Sequence, residues 1–212
     1  YVDPQTGNAV YDDVNSDGLI TSADRQIVGH AAPDFSGGLT NNLNYKNFDL
    51  NFFFFFSKGN SVLNMQDFFM VHGGTQSNIG FLPRQLERWQ KPGDITDIPR
   101  MTTYRDDPTA NNSSANNYVG NVASLSSRYL EDASFLRLKN ISFGYNLPST
   151  TAQKIGLSKL RAYAQLSNVF TITNYGGLDP EVSATGGNQN TAGYDWATTP
   201  QPRTFQLGLQ VT

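Results

Sequence analysis

The sequence predicts an all-β protein, a set of strands from a transmembrane antiparallel β-barrel with long extracellular loops. Three observations carry that prediction. The last segment, Pro202 to Thr212, sets Phe205, Leu207, Leu209 and Val211 on one face and Gln206, Gly208, Gln210 and Thr212 on the other. A period of two marks a strand with unlike environments on its two faces. The polar side is Gln, Gly and Thr rather than Lys and Glu, which suits the wet interior of a barrel whose apolar residues face lipid. Second, only 16% of the 212 residues are charged, against roughly 25% in ordinary soluble domains. Asn, Ser, Thr, Gly and Gln fill the difference, and mean hydropathy is −0.44. Third, the connections between strands alternate between short and long.

The strands read in order as follows. Gly37 to Tyr45 places Leu39, Leu43 and Tyr45 opposite Thr40, Asn42 and Asn44. Lys46-Asn47 is a two-residue hairpin connection to Phe48–Ser57, where Phe48, Leu50, Phe52, Phe54 and Phe56 share a face. The third strand, Ser134 to Leu147, sets Ile141, Phe143, Tyr145 and Leu147 against Asn140, Ser142, Gly144 and Asn146. Pro148 to Ser158, with a helical turn over Thr151 to Ile155, leads to a fourth strand from Lys159 to Thr171. The terminal segment is the fifth. Long links inside a compact soluble domain argue against such an assignment. Short turns on one side and long loops on the other are what an outer-membrane barrel has. By that rule residues 1–36, 58–133 and 174–202 are extracellular loops. Within them, Ser61 to Val71 and Leu82 to Gln90 read as short amphipathic helices, the second packing Leu82, Leu86 and Trp89. Asn111 to Asn117 reads as an exposed tip.

Several classes of function are excluded or unsupported. Net charge is −3, which gives no reason to expect a nucleic-acid partner. There is no cysteine, so neither a disulfide framework nor a thiolate metal site is available. The longest pure apolar run is Phe52 to Phe56, five residues, far short of the roughly 18 that a membrane helix needs. Barrel strands escape that test because they average to neutral. The chain opens at Tyr1 without a secretory leader, which suggests a processed or longer polypeptide.

The sharpest chemical motif is Asp13-Val14-Asn15-Ser16-Asp17-Gly18-Leu19-Ile20-Thr21-Ser22-Ala23-Asp24. It has calcium-loop spacing, with oxygen ligands at positions 1, 3 and 5, Gly at 6 and a carboxylate at 12. Asp13, Asn15 and Asp17 would supply side-chain oxygens, Leu19 a backbone carbonyl and Asp24 the closing carboxylate. Hard oxygen donors favour Ca2+ in a structural role. An Asx-turn loop without an ion is the other reading. Glu131-Asp132 reads as a charge pair at a strand edge rather than an acid/base couple. His30 and His72 lie in different loops with no neighbouring nucleophile. Trp89 and Trp196 could stack on sugars but more commonly pack a loop. Catalytic residues are therefore not assigned, and substrate-binding residues are unknown. The Asn-x-Ser sequons at Asn111, Asn112 and Asn140 need no explanation in an Asn-rich chain.

A series of passages, in order, resembles the C-terminal part of SusC/RagA-type TonB-linked (TonB-dependent) outer-membrane proteins of Bacteroidota. They are Asp12 to Gly18 with Ile27-Val28-Gly29, Pro33 to Gly38, Tyr45-Lys46-Asn47-Phe48-Asp49-Leu50, and Arg88-Trp89 with Thr96 to Arg100. Next come Tyr129 to Ile141, Phe143 to Pro148, Leu160-Arg161-Ala162-Tyr163 and Asn168-Val169-Phe170-Thr171. Gly177-Leu178-Asp179-Pro180-Glu181 and Pro200 to Phe205 complete the series.

The resemblance implies a plugged barrel of about 22 strands in the cell outer membrane. Such a barrel imports a bulky glycan (oligosaccharide) or peptide substrate with energy relayed by TonB, and is no enzyme. Its partners would be the remainder of its own barrel and plug, a SusD-like surface lipoprotein over the loops, and membrane lipid. The TonB box, plug and early strands, which lie N-terminal in the family, are not in these residues. The chain also stops at Thr212, where such barrels usually finish on an aromatic. The expectation is therefore the last portion of a longer protein. Two alternatives compete with it. One is a secreted soluble β-sandwich that binds carbohydrate and is stiffened by a calcium loop, but it requires charged outer strand faces. The other is a dockerin-like module at Asp13 to Asp24, which requires two such loops.

Overall fold

A computed structural model of the chain describes residues 1–71, 80–101, 126–181 and 192–212. The strands are β1 (Phe35–Tyr45), β2 (Phe48–Lys58), β3 (Ser61–Asn64), β4 (Leu130–Asp132), β5 (Phe135–Asn146), β6 (Leu160–Thr173), β7 (Tyr194–Asp195) and β8 (Thr204–Val211). Two short α-helices, α1 (Met65–Met70) and α2 (Ser149–Lys154), lie between them. The chain divides into two compact units. One comprises Ala31–Ser61, Asp132–Val182 and Thr198–Thr212, and the other comprises Tyr1–His30, Val62–Glu131 and Ser183–Ala197.

The first unit is built on a five-stranded sheet in the order β1-β2-β5-β6-β8, with every neighbouring pair antiparallel. These are the five strands expected from the sequence, with ends that are one or two residues longer in some places and one or two shorter in others. The sheet is open, with β1 and β8 as its edges. Its register stacks like with like. Tyr45-Phe48-Tyr145-Ala162-Leu209, Leu43-Leu50-Phe143-Ala164-Leu207 and Asn41-Phe52-Ile141-Leu166-Phe205 run across one face. Asn44-Asp49-Gly144-Tyr163-Gly208 and Asn42-Asn51-Ser142-Gln165-Gln206 run across the other. Phe205, Leu207 and Leu209 are 61, 72 and 71% exposed. A soluble sandwich would have buried them against a second sheet.

β5 changes parity part-way, from Leu136 and Leu138 to Ile141, Phe143 and Tyr145. The ladder accommodates this with a bulge. Leu138 pairs with Phe54 and Phe170, and Asn140 with Phe53 and Ser167, which leaves Lys139 between them. On β6, Asn168 takes the left-handed conformation at φ 51°. The extra residue keeps the apolar set of both halves of β5 on a single face, because a slip of one residue would invert it.

The turns follow their local chemistry. Lys46 adopts φ 52° in the two-residue β1–β2 hairpin. α2 starts after Pro148 and ends at Gly156 (φ 77°), whose conformation suits the position beyond a helix C-terminus. On the polar face Gly208 lies directly under the Tyr163 ring, and a Cβ there would fall 2.3 Å from a ring carbon.

The second unit holds small elements rather than the two helices expected. Ser61–Asn64 is a strand, and Leu63 and Asn64 pair in parallel with Tyr194 and Asp195. The helix begins only at Met65, because the Asn64 side chain accepts a bond from the Asp67 N–H and caps it. Leu82 to Gln90 yields a 3-10 turn, Pro83–Glu87. Three residues per turn put Gln85 where a 3.6-residue period would have put Leu86. Gln85 is buried and Leu86 is 72% exposed, contrary to the expected packing. Trp89 packs as anticipated. Its indole N–H donates to the Pro4 carbonyl at 2.9 Å and its ring covers Gly7. Ile98, Pro99, Val71, Asn64 and Asp195 form the centre of this unit. His72, Asn111 to Asn117 and the sequons at Asn111 and Asn112 lie outside the described residues.

Replacing Gly208 with Val should push the Tyr163 ring off the sheet and weaken the β6–β8 pairing by about 1–3 kcal/mol, the usual cost of overpacking. The check is the melting temperature of the detergent-purified protein. A control on the same polar face of β8, Gln206→Val, should change it far less.

Candidate functional site

The polar face carries the chemistry, and its charged side chains sit in two groups. Near the short turns, Arg161 grips Asp49 with two bonds, from Nε at 3.1 Å and from its terminal nitrogen at 2.5 Å. The Asn146 amide donates to the same carboxylate at 2.9 Å. The three residues come from β2, β5 and β6, so the cluster ties three adjacent strands together. They cover Gly144, whose missing side chain leaves room for the pair. Fork-to-carboxylate pairing of this kind is the stronger class of charged hydrogen bond.

The second group sits at the bulge. Arg137 is 3% exposed and uses each arm of its guanidinium. Nε donates to Thr171 Oγ1 at 2.8 Å, one terminal nitrogen to Glu181 at 2.8 Å and the other to Asp179 at 2.5 Å. Lys139 pairs with the second Glu181 oxygen. Asp179 further accepts the N–H groups of Glu181 (3.0 Å) and Gln201 (3.1 Å). The two cations also lie over aromatic rings of the polar face, Arg137 over Phe135 at 5.4 Å and Lys139 over Phe55 at 5.2 Å. Burial alone would push the Asp179 carboxyl up, but the Arg137 and backbone bonds outweigh it and hold the group below the usual carboxylate range. The cluster thus fastens the segment after β6, and the segment entering β8, to the wall of the sheet. The sequence contained these residues only as pieces of separate matching passages. The even-to-odd parity change around Lys139 was the signal that could have located the bulge.

The calcium-loop residues are tied to one another by hydrogen bonds within the loop. Asp13 accepts the N–H groups of Asp17 (3.2 Å) and Gly18 (2.8 Å), and Asp17 accepts that of Leu19 (2.8 Å). Asn15 bonds the Asp17 backbone and side chain. Asp24 accepts from Val14 at 3.0 Å and Thr21 at 2.7 Å, closing the loop end to end. The Thr21 N–H holds the Asp24 carboxyl below its ordinary range, so it is charged at neutral pH. Gly18 adopts φ 80°, as the sharp turn requires. Among the described residues, no three His, Cys, Asp or Glu groups assemble as a metal site by themselves. An ion here would depend on the Asn15 amide and the Leu19 carbonyl as well, donors suited to calcium.

The remaining candidates have separate partners. Glu131 accepts from the Asn64 amide at 2.8 Å, whereas Asp132 is held by Ser134 and faces Lys58 at 3.6 Å. Trp196 is half exposed, with its ring 5.5 Å from Phe69. In the loops Arg84 bridges Asp67 and Asp97, each at 2.6 Å. His30 is exposed.

An open antiparallel sheet with one apolar and one neutral-polar face is a section of a transmembrane β-barrel wall, apolar side to lipid and polar side to the lumen. No helix among the described residues is long and apolar enough to cross a membrane. No family model matches the chain. It is 35% identical over 99% of its length to the TonB-dependent receptor P3 of Formosa agariphila. It is 31% identical over 94% of its length to the TonB-dependent receptor SusC of Bacteroides thetaiotaomicron. The chain spans about a fifth of the length of these curated relatives, 19% and 17%. Among solved structures, the RagAB peptide importer in its closed-closed state matches with a TM-score of 0.69 at 25% identity, over 91% of this chain and 19% of that one. The RagAB peptide transporter matches with a TM-score of 0.74 over 99% of this chain. The chain belongs to the SusC/RagA-type TonB-dependent receptors and is consistent with a C-terminal portion of one.

Substituting Arg137 with Met leaves the buried Asp179 without a cationic partner and Glu181 with Lys139 alone. It should cost about 3–5 kcal/mol, as breaking a buried ion pair does, and open residues 174–181 to proteolysis. Because the Asp179 pKa is depressed in the fold, its contribution is complete above its unfolded value of about 3.9 and is lost as pH falls through the lower folded value. Protection of the segment should therefore hold at neutral pH and fade only in acid below that value, whereas the Arg137→Met protein should lack that acid transition.

Proposed function

We propose that the chain forms part of an outer-membrane importer for bulky nutrients, oligosaccharides or peptides. In this reading it supplies closing barrel strands and, through residues 1–36, 58–133 and 174–202, extracellular loops that dock a SusD-like lipoprotein. The observation that carries the reading is the neutral-polar sheet face with its ion cluster at Arg137. Asn, Gln, Ser and Thr offer weak, exchangeable hydrogen bonds along a hydrated path, and the cluster holds a long segment against the rim. The similarity to TonB-dependent receptors supports energy supply through TonB, and the likeness to a peptide importer keeps peptides beside glycans as cargo. The plug and the rest of the barrel complete the path.

The test uses the full-length receptor in its own outer membrane. Labelled oligosaccharides and peptides should accumulate in receptor-bearing cells only while TonB is present, and tagged receptor should co-purify a surface lipoprotein. Uptake unaffected by loss of either the receptor or TonB would refute the reading.

The Asp13–Asp24 loop is proposed as a structural Ca2+ site, on the spacing of its oxygen-bearing residues and on the bonds that tie Asp24 back to Val14 and Thr21. Calcium at a hundredfold its Kd should stabilise the receptor by about 2.7 kcal/mol if the unfolded chain does not bind it. Asp13→Ala should abolish the melting shift on calcium addition and leave the shift caused by other ligands intact. A wild-type receptor whose melting ignores both calcium and chelator would leave only the Asx-turn reading.

A further inference from the structure

Next to the Arg137 cluster, the first unit holds a cavity of about 360 Å³. Arg137, Asn168, Thr171, Asp179, Gln201 and Arg203 are among the residues that line it. Its size lies at the lower end of the roughly 300–1,000 Å³ of small-molecule pockets, which suits the end of an oligomer rather than its length. Arg137, Asp179 and Arg203 are its only charged lining residues. Arg137 balances Asp179, so Arg203 leaves the lining with a net charge of +1.

The polar groups of this cavity are unequally engaged. One Asp179 oxygen accepts from Arg137 and from the Glu181 N–H, and the other from the Gln201 N–H. Arg203, by contrast, is exposed, and its guanidinium meets no partner among the described residues. The Gln201 side-chain amide is equally free. The Thr171 hydroxyl accepts from Arg137 Nε at 2.8 Å and keeps its own proton to donate. A ligand thus meets an unpaired cation and neutral donors, while the one carboxylate is already bound. The backbone that carries Arg203 is also held in place. Asn168, left-handed at φ 51°, donates from its amide to the Pro202 carbonyl at 2.9 Å, and the Gln201 N–H is fixed on Asp179 at 3.1 Å. Pro200 and Pro202 lock φ on either side of Gln201. Such pre-organisation lowers the ordering cost of binding.

We propose that this cavity binds a carboxylate of the imported cargo, with Arg203 as the cation that recognises it. Two parallel N–H groups of a guanidinium match the two oxygens of a carboxylate. The Gln201 amide and the Thr171 hydroxyl meet the neighbouring polar atoms of the same cargo unit. A uronate of an oligosaccharide and the C-terminus of a peptide both present that group. The inference deepens the importer reading and rests on it, since the polar face must line the path of the cargo.

The experiment takes the full-length receptor, purified from outer membranes in detergent, and measures binding by isothermal titration calorimetry. The probes are trigalacturonate against its methyl ester, and trialanine against its C-terminal amide. Wild type should bind a carboxylate about tenfold more tightly than its neutral counterpart, as expected for one charged hydrogen bond. The pair that shows the difference identifies the source of the carboxylate. Arg203→Gln should erase the preference and still bind the neutral probes as wild type does. Arg203→Lys should keep part of the preference, and Lys154→Gln, on α2 outside the cavity, all of it. Heat-modifiable gel mobility confirms a folded barrel, and Arg203→Met serves if Arg203→Gln does not fold. A preference that survives Arg203→Gln, or a folded wild type indifferent to the carboxylate in both pairs, overturns the proposal. Receptor-bearing cells that accumulate neither glycans nor peptides would instead overturn the importer reading on which it rests.

Discussion

Inside a bilayer a backbone N–H or C=O has no water to turn to, so a spanning strand must find all its hydrogen bonds in its neighbours. That requirement governs the five long strands of this chain. Continuous antiparallel pairing fixes the register, and the register decides which side chains stand together. Aromatic and aliphatic rows then fall on one face, and rows of Asn, Gln, Ser and Gly on the other. Neither face resembles the outside of a soluble sheet, because one meets lipid and the other a hydrated lumen.

The bulge at Lys139 is the place where this constraint meets function. Without it, the upper half of β5 would turn Leu136 and Leu138 inward and Arg137 toward lipid, where an ion is expensive. With it, Arg137, Lys139 and Asn140 all stand on the polar side. Arg137 and Lys139 capture Asp179 and Glu181 from a loop more than forty positions away, and Asn140 bonds Ser167. The same irregularity preserves the lipid face and anchors the loop that leads to the last strand. Glycines assist on the polar face in a consistent way. Gly38, Gly144 and Gly208 each lie beneath a neighbouring side chain, namely Phe53, the Asp49–Arg161 pair and Tyr163.

The long strands are legible in the sequence because a strand between two unlike solvents writes its environment residue by residue. Gly37 to Tyr45, Phe48 to Ser57 and the terminal segment agree with the structure within a residue or two. The loop elements are less legible. Ser61 to Val71 has helical spacing throughout, yet its first four residues form a strand, because β7 supplies partners from about 130 positions later in the chain. Leu86 has the spacing of a packed residue, but Pro83 opens a 3-10 turn that carries Gln85 inward instead. The loop at Asp13 closes on its own oxygens, since its spacing and its geometry are one local property. The Arg137 cluster is invisible as a site in the sequence because its members lie in three distant passages, none unusual alone.

The sequence by itself determined which residues alternate, where the short turns and long loops fall, and which kind of barrel the chain resembles. Those properties are set by neighbours along the chain. Only the tertiary structure decided the register, the bulge that reconciles two parities within β5, and the union of Arg137 and Lys139 with Asp179 and Glu181. Those features depend on cross-strand hydrogen bonds and on charges that seek each other out of water. No local pattern specifies a partner more than forty residues away.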